Sequence, residues 1–284
     1  MYNSMSWLRW AVVLASVTAA LGGTPAAAQQ PPTQASGPVP RAADGKPDLT
    51  GVYQASTRRG PWDFDMPGDT PGTAAPRPAG TAAPTGARPE PIPWRPEARA
   101  RAQELLNRRS IDDPATICLP QPSPRMTPVA LFPIQFVQTP QQLVIMYEYF
   151  YQLRVIPIDG RPHPADTDPS YMGDSVGRWD GDTLVVDLIN FKPGLWLGNG
   201  LVTSDALHIT ERYTRVDRDQ LNYEAIIEDP KILTGPYTMR TTLMLRDGMR
   251  LREYSCVENN LDPQRYEKLM ANPSSFTRTP PPQK

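Results

Sequence analysis

The chain carries only two histidines and two cysteines, so its stock of side chains for nucleophilic or metal chemistry is short. His163 lies in Arg161-Pro-His-Pro-Ala-Asp166-Thr-Asp168-Pro169, a loop stiffened by its prolines. Histidine titrates near neutral pH, and a carboxylate close by in sequence, Asp166, would orient it as a general base. Three acids, Glu148, Asp187 and Glu211, and one base, Arg154, interrupt alternating apolar patterns. Glu211 stands out among them. Leu207, Ile209, Glu211 and Tyr213 share one face, while His208, Thr210, Arg212 and Thr214 form a polar face on the other side. Arg154 shares its face with Ile156 and Ile158. An interior charge needs a partner or a shifted pKa. Two readings of Glu211 follow with equal weight: a working site in a lumen, or a structural pair with Arg154. In a working site, Glu211 or His163 would move protons, and Arg154 would stabilise developing negative charge. Glu148 and Asp187 read as rim or salt-bridge positions, and His208 as solvent-facing.

Other chemistries drop out. There is no serine nucleophile elbow, no phosphate-binding glycine loop and no dinucleotide fingerprint, so no cofactor is expected. No CxxC or Cys/His cluster exists, and Asp174, Asp180 and Asp182 lack the spacing of a calcium loop. His163 with Asp166 or Asp168 is too thin a ligand set, and no metal is expected. Twenty-nine basic and 30 acidic residues leave a net charge of −1, which argues against a nucleic-acid partner. No run of 18 apolar residues follows the N-terminal segment, so membrane insertion is not expected.

Residues 1–28 have the form of a secretory signal peptide. Arg9 precedes the apolar stretch from Trp10 to Leu21, and Ala26-Ala27-Ala28 ends it as a cleavage site. A periplasmic or secreted location follows. In such an oxidising compartment an even cysteine count favours a Cys118–Cys256 disulfide, which would tie the last strand to the segment entering the domain.

The elements that must position these residues divide unevenly along the chain. There are 35 prolines, more than half of them before residue 125. Fixed φ and missing N–H donors make that region a poor host for regular structure. Residues 29–95 read as a Pro/Gly/Ala-rich arm with a possible short strand at 49–53. A helix is predicted over 96–110, with Pro96 at the position a helix tolerates best. From Ile134 the period changes to two, and strands are predicted over 134–139, 142–150, 152–158, 175–180, 183–190, 206–216, 220–228, 236–245 and 249–257. Asp180-Gly181 and Asp247-Gly248 are hairpin pairs. Short links without intervening helices mean an antiparallel meander. The predicted fold is therefore all-β, a meander closing as a lipocalin-like barrel or a twisted sandwich over 111–262, with one short N-terminal helix and a C-terminal tail at 263–284.

Several segments together resemble a known family. They are Asp174-Ser-Val-Gly-Arg-Trp-Asp-Gly-Asp-Thr-Leu-Val-Val-Asp187, Pro47-Asp-Leu-Thr-Gly-Val52, Asp159-Gly-Arg-Pro-His-Pro164, Glu211-Arg-Tyr213, Glu228-Asp-Pro230 and Glu253-Tyr-Ser-Cys-Val-Glu-Asn-Asn260, with Cys118-Leu-Pro and Pro124-Arg125. As a set over residues 47–260 they resemble a large uncharacterised family of exported bacterial β-rich proteins carrying a GRWDGDTLVVD-type motif. That resemblance implies a secreted β-rich domain. It brings no activity and no functional residues with it.

The leading expectation is an exported barrel binding a small apolar or aromatic molecule between Tyr147, Tyr149, Trp179, Tyr213 and Tyr223. As an enzyme it would be a cofactor-independent acid–base catalyst of lyase, isomerase, hydratase or cyclase type, using Glu211, His163, Arg154 and Asp166. The alternatives are a non-catalytic periplasmic carrier with the same cavity, and an envelope scaffold whose proline-rich arm engages partner domains.

Overall fold

The computed structural model describes residues 37–56, 91–108, 111–129, 131–198 and 200–271. The segment 1–28 predicted as a signal peptide, residues 29–36 and 57–90 of the arm, and 272–284 of the tail lie outside the described residues.

Period-two patterning produces nine antiparallel strands in one sheet. They are β1 (Gly51–Ala55), β2 (Ile134–Gln138), β3 (Gln142–Tyr147), β4 (Gln152–Pro157), β5 (Asp174–Asp180), β6 (Thr183–Ile189), β7 (His208–Arg215), β8 (Gln220–Glu228) and β9 (Tyr237–Leu245). The order across the sheet is β4-β3-β2-β1-β9-β8-β7-β6-β5. Two meanders, β1 to β4 and β5 to β9, are thus joined by the pairing of β1 with β9. The sheet curls until the outer strands β4 and β5 meet, and the barrel is nearly closed. At that seam Gly177 on β5 backs directly onto Ile156, Pro157 and Ile158, with no room for a side chain. The β5–β6 turn pairs Asp180 with Thr183, and Gly181 supplies the left-handed φ of 59° that the tight link requires.

One face of each strand fills the lumen. On β7, Ile209, Glu211, Tyr213 and Arg215 are buried and the alternate residues are half-exposed. Tyr53, Phe136, Leu143, Ile145, Leu184 and Leu243 come from five other strands and complete a continuous apolar core. On β3 the inward set is Leu143, Ile145 and Tyr147, so Val144 and Met146 face outward. On β6 it is Leu184, Val186 and Leu188, which places Asp187 outside.

Three segments differ from the sequence expectation. The short strand at 49–53 forms at Gly51–Ala55 and lies in the middle of the sheet, with Leu49 and Tyr53 wholly buried. Residues 249–257 are not a strand: they run as coil after β9. Glu148 holds this coil by accepting from the Arg252 N–H at 2.6 Å, Tyr254 packs on Phe132 and Tyr149, and Cys256 anchors it. The Cys118–Cys256 disulfide is formed, with its cysteines 138 positions apart, and ties the entering segment to this coil instead of to a strand. The tail begins as a helix, α3 (Asp262–Met270), so the N-terminal helix α1 (Pro96–Asn107) is not the only one.

A short helix, α2 (Ser123–Met126), belongs to a run from 121 to 128 that is buried throughout. It plugs the barrel. Ser123 hydrogen-bonds to side chains on β3, β4 and β7, which only a segment inside the lumen can do. Among the described residues no helix is long and apolar enough to cross a membrane.

Candidate functional site

Polar side chains gather in two places, one inside the barrel and one on its outer face. The inner group centres on Glu211. Its Oε1 accepts from Ser123 Oγ at 2.6 Å and Tyr223 OH at 2.7 Å; its Oε2 accepts from Arg154 Nη1 at 2.9 Å and Tyr213 OH at 3.0 Å. Arg154 Nη1 also donates to Ser123 Oγ at 2.6 Å, and Nη2 reaches Ser175 Oγ at 3.0 Å. Tyr147 OH lies 3.1 Å from Ser123 Oγ and 3.4 Å from Thr127 Oγ1. Burial alone would lower the Arg154 guanidinium, but Glu211, Tyr147 and Tyr213 together carry it well above its ordinary value. Burial, followed by the Glu211 charge, pushes the Tyr213 and Tyr223 phenols well above theirs. Both tyrosines are therefore neutral donors at physiological pH.

A serine beside a carboxylate and a guanidinium has the parts of an activated nucleophile. Here those parts are spent on one another. Each carboxylate oxygen takes two donors, and both Glu211 and Ser123 are 0 % exposed, so no water-sized space touches either. Arg154 Nε alone lacks a partner in the network.

The outer group contains both histidines. His163 enters from the loop between β4 and β5. Its Nδ1 meets Asp174, at the start of β5, and its Nε2 lies 2.9 Å from Asp187 Oδ2 on β6. Asp187 Oδ1 lies 2.7 Å from His208 Nε2 on β7, and His208 Nδ1 is 3.1 Å from Glu228 Oε2 on β8. Antiparallel register makes His208 and Glu228 direct cross-strand neighbours. Exposure increases along the chain of groups, from 16 % for the His163 side chain to 46 % for Glu228. Burial raises the Asp187 carboxyl, but hydrogen bonds from His208 and His163 outweigh it and hold Asp187 below the usual range. Burial lowers His208, and Asp187 and Glu228 more than offset that, leaving its pKa raised.

Of the residues singled out by sequence, Glu211, Arg154, Tyr147, Tyr213 and Tyr223 come together in the lumen. His163 is on the other side of the wall. Asp166 is exposed on the loop, and Asp174 and Asp187 take the place at His163 that sequence proximity gave to Asp166. Tyr149 sits at the rim, stacked 4.6 Å from Phe132. Trp179 is half-buried on β5, where Lys46 Nζ lies 6.0 Å from its ring. His208 does lie on the outer face but is half-buried and bonded at both nitrogens.

Sequence reasoning missed Ser123, Ser175 and Thr127 inside and the joining of Asp174, His208 and Glu228 outside. Strand register could have given the His208–Glu228 pair; nothing local announces that Ser123 enters the barrel. Two open clefts lie away from both groups. One of about 640 Å³ runs beside Trp94 and Arg99 at α1, and one of about 750 Å³ runs between Leu131, Glu148, Arg250 and Arg252. Comparison with family models, curated proteins and solved structures gives no match.

Proposed function

We propose that the protein is a non-catalytic exported barrel of the cell envelope that meets its partners through its outer surface, its lumen serving the fold. One observation carries this reading: both Glu211 oxygens are taken up by buried donors, two each, and the carboxylate is sealed from solvent. A carrier needs an apolar cavity with a few polar groups free to choose a ligand. A catalytic lumen needs an acid or base that a substrate can reach. Neither condition is met around Glu211.

Replacing Glu211 by Gln separates the readings. In a structural network the substitution leaves Arg154 uncompensated and lowers stability by about 3–5 kcal/mol. A fluorescent apolar probe such as anilinonaphthalene sulfonate then finds no stoichiometric site in the native wild-type protein. One-to-one probe uptake, weakened in Glu211→Gln at an unchanged melting temperature, overturns the proposal in favour of a ligand-binding lumen.

A second reading rests on the outer group. Two imidazoles bonded to three partly exposed carboxylates are the parts of an acid–base catalyst acting outside the barrel, of the lyase or isomerase type. Its mark would be deuterium uptake from heavy water at the carbon beside a carbonyl in a panel of small carbonyl compounds, lost in His163→Gln.

A further inference from the structure

We propose that the outer face of β1 to β4 is a self-association surface, on which a second copy of this chain docks about a two-fold axis. The inference rests on the reading of the barrel as a protein that works through its outer surface, and it names the partner and the wall.

Alternation and register build the face. Val137, Val144 and Val155 are direct neighbours across β2, β3 and β4. The adjacent row runs Val52, Gln135, Met146, Leu153 across all four strands. These residues occupy the outward positions, so their side chains leave the lumen and stand on the wall. Leu153 is 59 % exposed and Val155 50 %, and Tyr151 at the head of β4 is 71 % exposed. No outward position of the four strands carries a charge.

The rest of the barrel differs. Outward positions on β5, β6 and β7 carry Asp174, Arg178, Asp180, Asp187, His208 and Arg212, and β8 and β9 add further charges. The outer surface is therefore divided into a charged wall and a neutral one. Charged side chains on outward strand positions keep sheet proteins apart in water. A wall that lacks them and presents contiguous rows of branched apolar side chains is a wall that something covers.

Charge chooses the occupant. About a two-fold axis a patch meets its own copy, so any charge near the axis faces its like. An uncharged face escapes that repulsion and is complementary to itself. Its polar members, Gln54, Gln135 and Gln142, have amides that donate and accept at once, so each can pair with a copy of itself. Homodimer interfaces share this apolar, charge-poor character. A foreign protein steered by charge needs charged groups to meet, and an anionic lipid surface calls for basic residues. This face offers neither. Four strands about 4.8 Å apart make it only about 14 Å across, narrower than an obligate interface requires. The dimer is therefore a reversible one.

Analytical ultracentrifugation of the full chain across the micromolar range tests the proposal. A monomer–dimer equilibrium is expected without higher oligomers, since an isologous face closes on itself. Leu153→Glu combined with Val155→Glu should weaken association by more than about 30-fold, and Arg178→Glu on the charged wall should leave it unchanged. A monomer at every concentration overturns the proposal, and so does a dimer indifferent to the double variant. A monomer that co-sediments with phosphatidylcholine vesicles overturns it too and assigns the face to lipid. Should the double variant fail to fold, methyl NMR of the wild type decides: Val137, Val144 and Val155 resonances that do not move with protein concentration also overturn it. Failure of the outer-surface reading has a separate mark. Probe uptake weakened by Glu211→Gln overturns that reading while the dimer stands, whereas a monomer without such uptake overturns the dimer alone.

Discussion

Arg154 on β4 donates from Nη2 to Ser175 Oγ on β5, 3.0 Å away, across the one junction of the barrel where no backbone ladder runs. The same guanidinium holds Glu211 on β7 through Nη1. One buried cation therefore links the two outer strands of the sheet to a strand within it. The first prediction concerns the cost of this arrangement. Removing a single member leaves a buried charge alone, which typically costs about 3–5 kcal/mol, whereas replacing the pair by apolar residues of similar size is often neutral or better. Arg154→Met should lower the melting temperature sharply, and Arg154→Met with Glu211→Leu should recover most of the loss. A double variant that melts as low as or lower than the single one would show that Glu211 is needed for its tyrosine and serine donors independently of Arg154.

The seam also depends on Gly177. A Cβ added there would stand 2.9 Å from Ile158 Cγ2, 3.3 Å from the Pro157 carbonyl oxygen and 3.4 Å from Ile156 Cγ2. Two of these neighbours are branched close to the backbone and one is backbone, so relief requires β4 and β5 to part. Gly177→Val should destabilise the fold by about 1–3 kcal/mol, the usual cost of overpacking. Hydrogen exchange should localise the change to β4 and β5. Unchanged protection in both strands would show that the seam is looser than its contacts indicate.

What was legible in the sequence follows from where the determining interactions lie. Alternation along a strand is local, and on β7 the polar residues between Leu207 and Tyr213 made the inward face and the interior place of Glu211 readable. Arg154 was readable as its partner because a buried acid needs a cation. On β3 and β6 both faces are apolar over several residues, so alternation named candidates without fixing which side Val144 or Asp187 would take. Ser123 was not legible, since its burial depends on a plug made by tertiary packing. Residues 249–257 read as a strand from their composition, but Glu148, Tyr254 and the disulfide offer that segment contacts that compete with a ladder. His163 was given to Asp166 by sequence proximity; the fold supplies Asp174 and Asp187 from strands that the loop crosses.

The disulfide yields a third prediction. Cross-linking residues 138 apart removes denatured-state entropy worth about 4–5 kcal/mol in the chain-entropy model. Cys118→Ser with Cys256→Ser should lower stability by up to that amount. The 249–257 coil and α3 should lose protection before the barrel does, because Asn260 Nδ2 donates to the Thr116 carbonyl at 2.9 Å beside the bond and no ladder holds the coil. Thermal melts with and without reductant, followed by exchange mass spectrometry, check both parts. Equal loss of protection across β7 and β8 would make the bond a support of the whole barrel.

Tyr53 gives the last prediction, and its two parts have opposite signs. The side chain is 0 % exposed at the pairing of β1 with β9, and its hydroxyl has no hydrogen-bond partner. Burial, only partly offset by Arg215 near the ring, pushes the phenol up to about 12. A phenol raised above its unfolded value of about 10 favours the protonated fold. That contribution is complete below about pH 10 and is lost as pH rises through about 12. The wild-type barrel should therefore weaken steeply across this window, helped by Tyr213 and Tyr223, whose phenols are raised as well. At neutral pH the orphaned hydroxyl is itself a burden, because an unsatisfied buried polar group costs about 1–3 kcal/mol. Tyr53→Phe removes that burden while keeping the ring against Phe136, 5.3 Å away. The variant should match or exceed wild-type stability at pH 7 and decline less between pH 10 and 12. Urea denaturation at pH 7 and pH 11 supplies the comparison. A variant that is weaker at pH 7 would mean that the hydroxyl is bonded in solution, and the alkaline difference between the two proteins should then shrink with it.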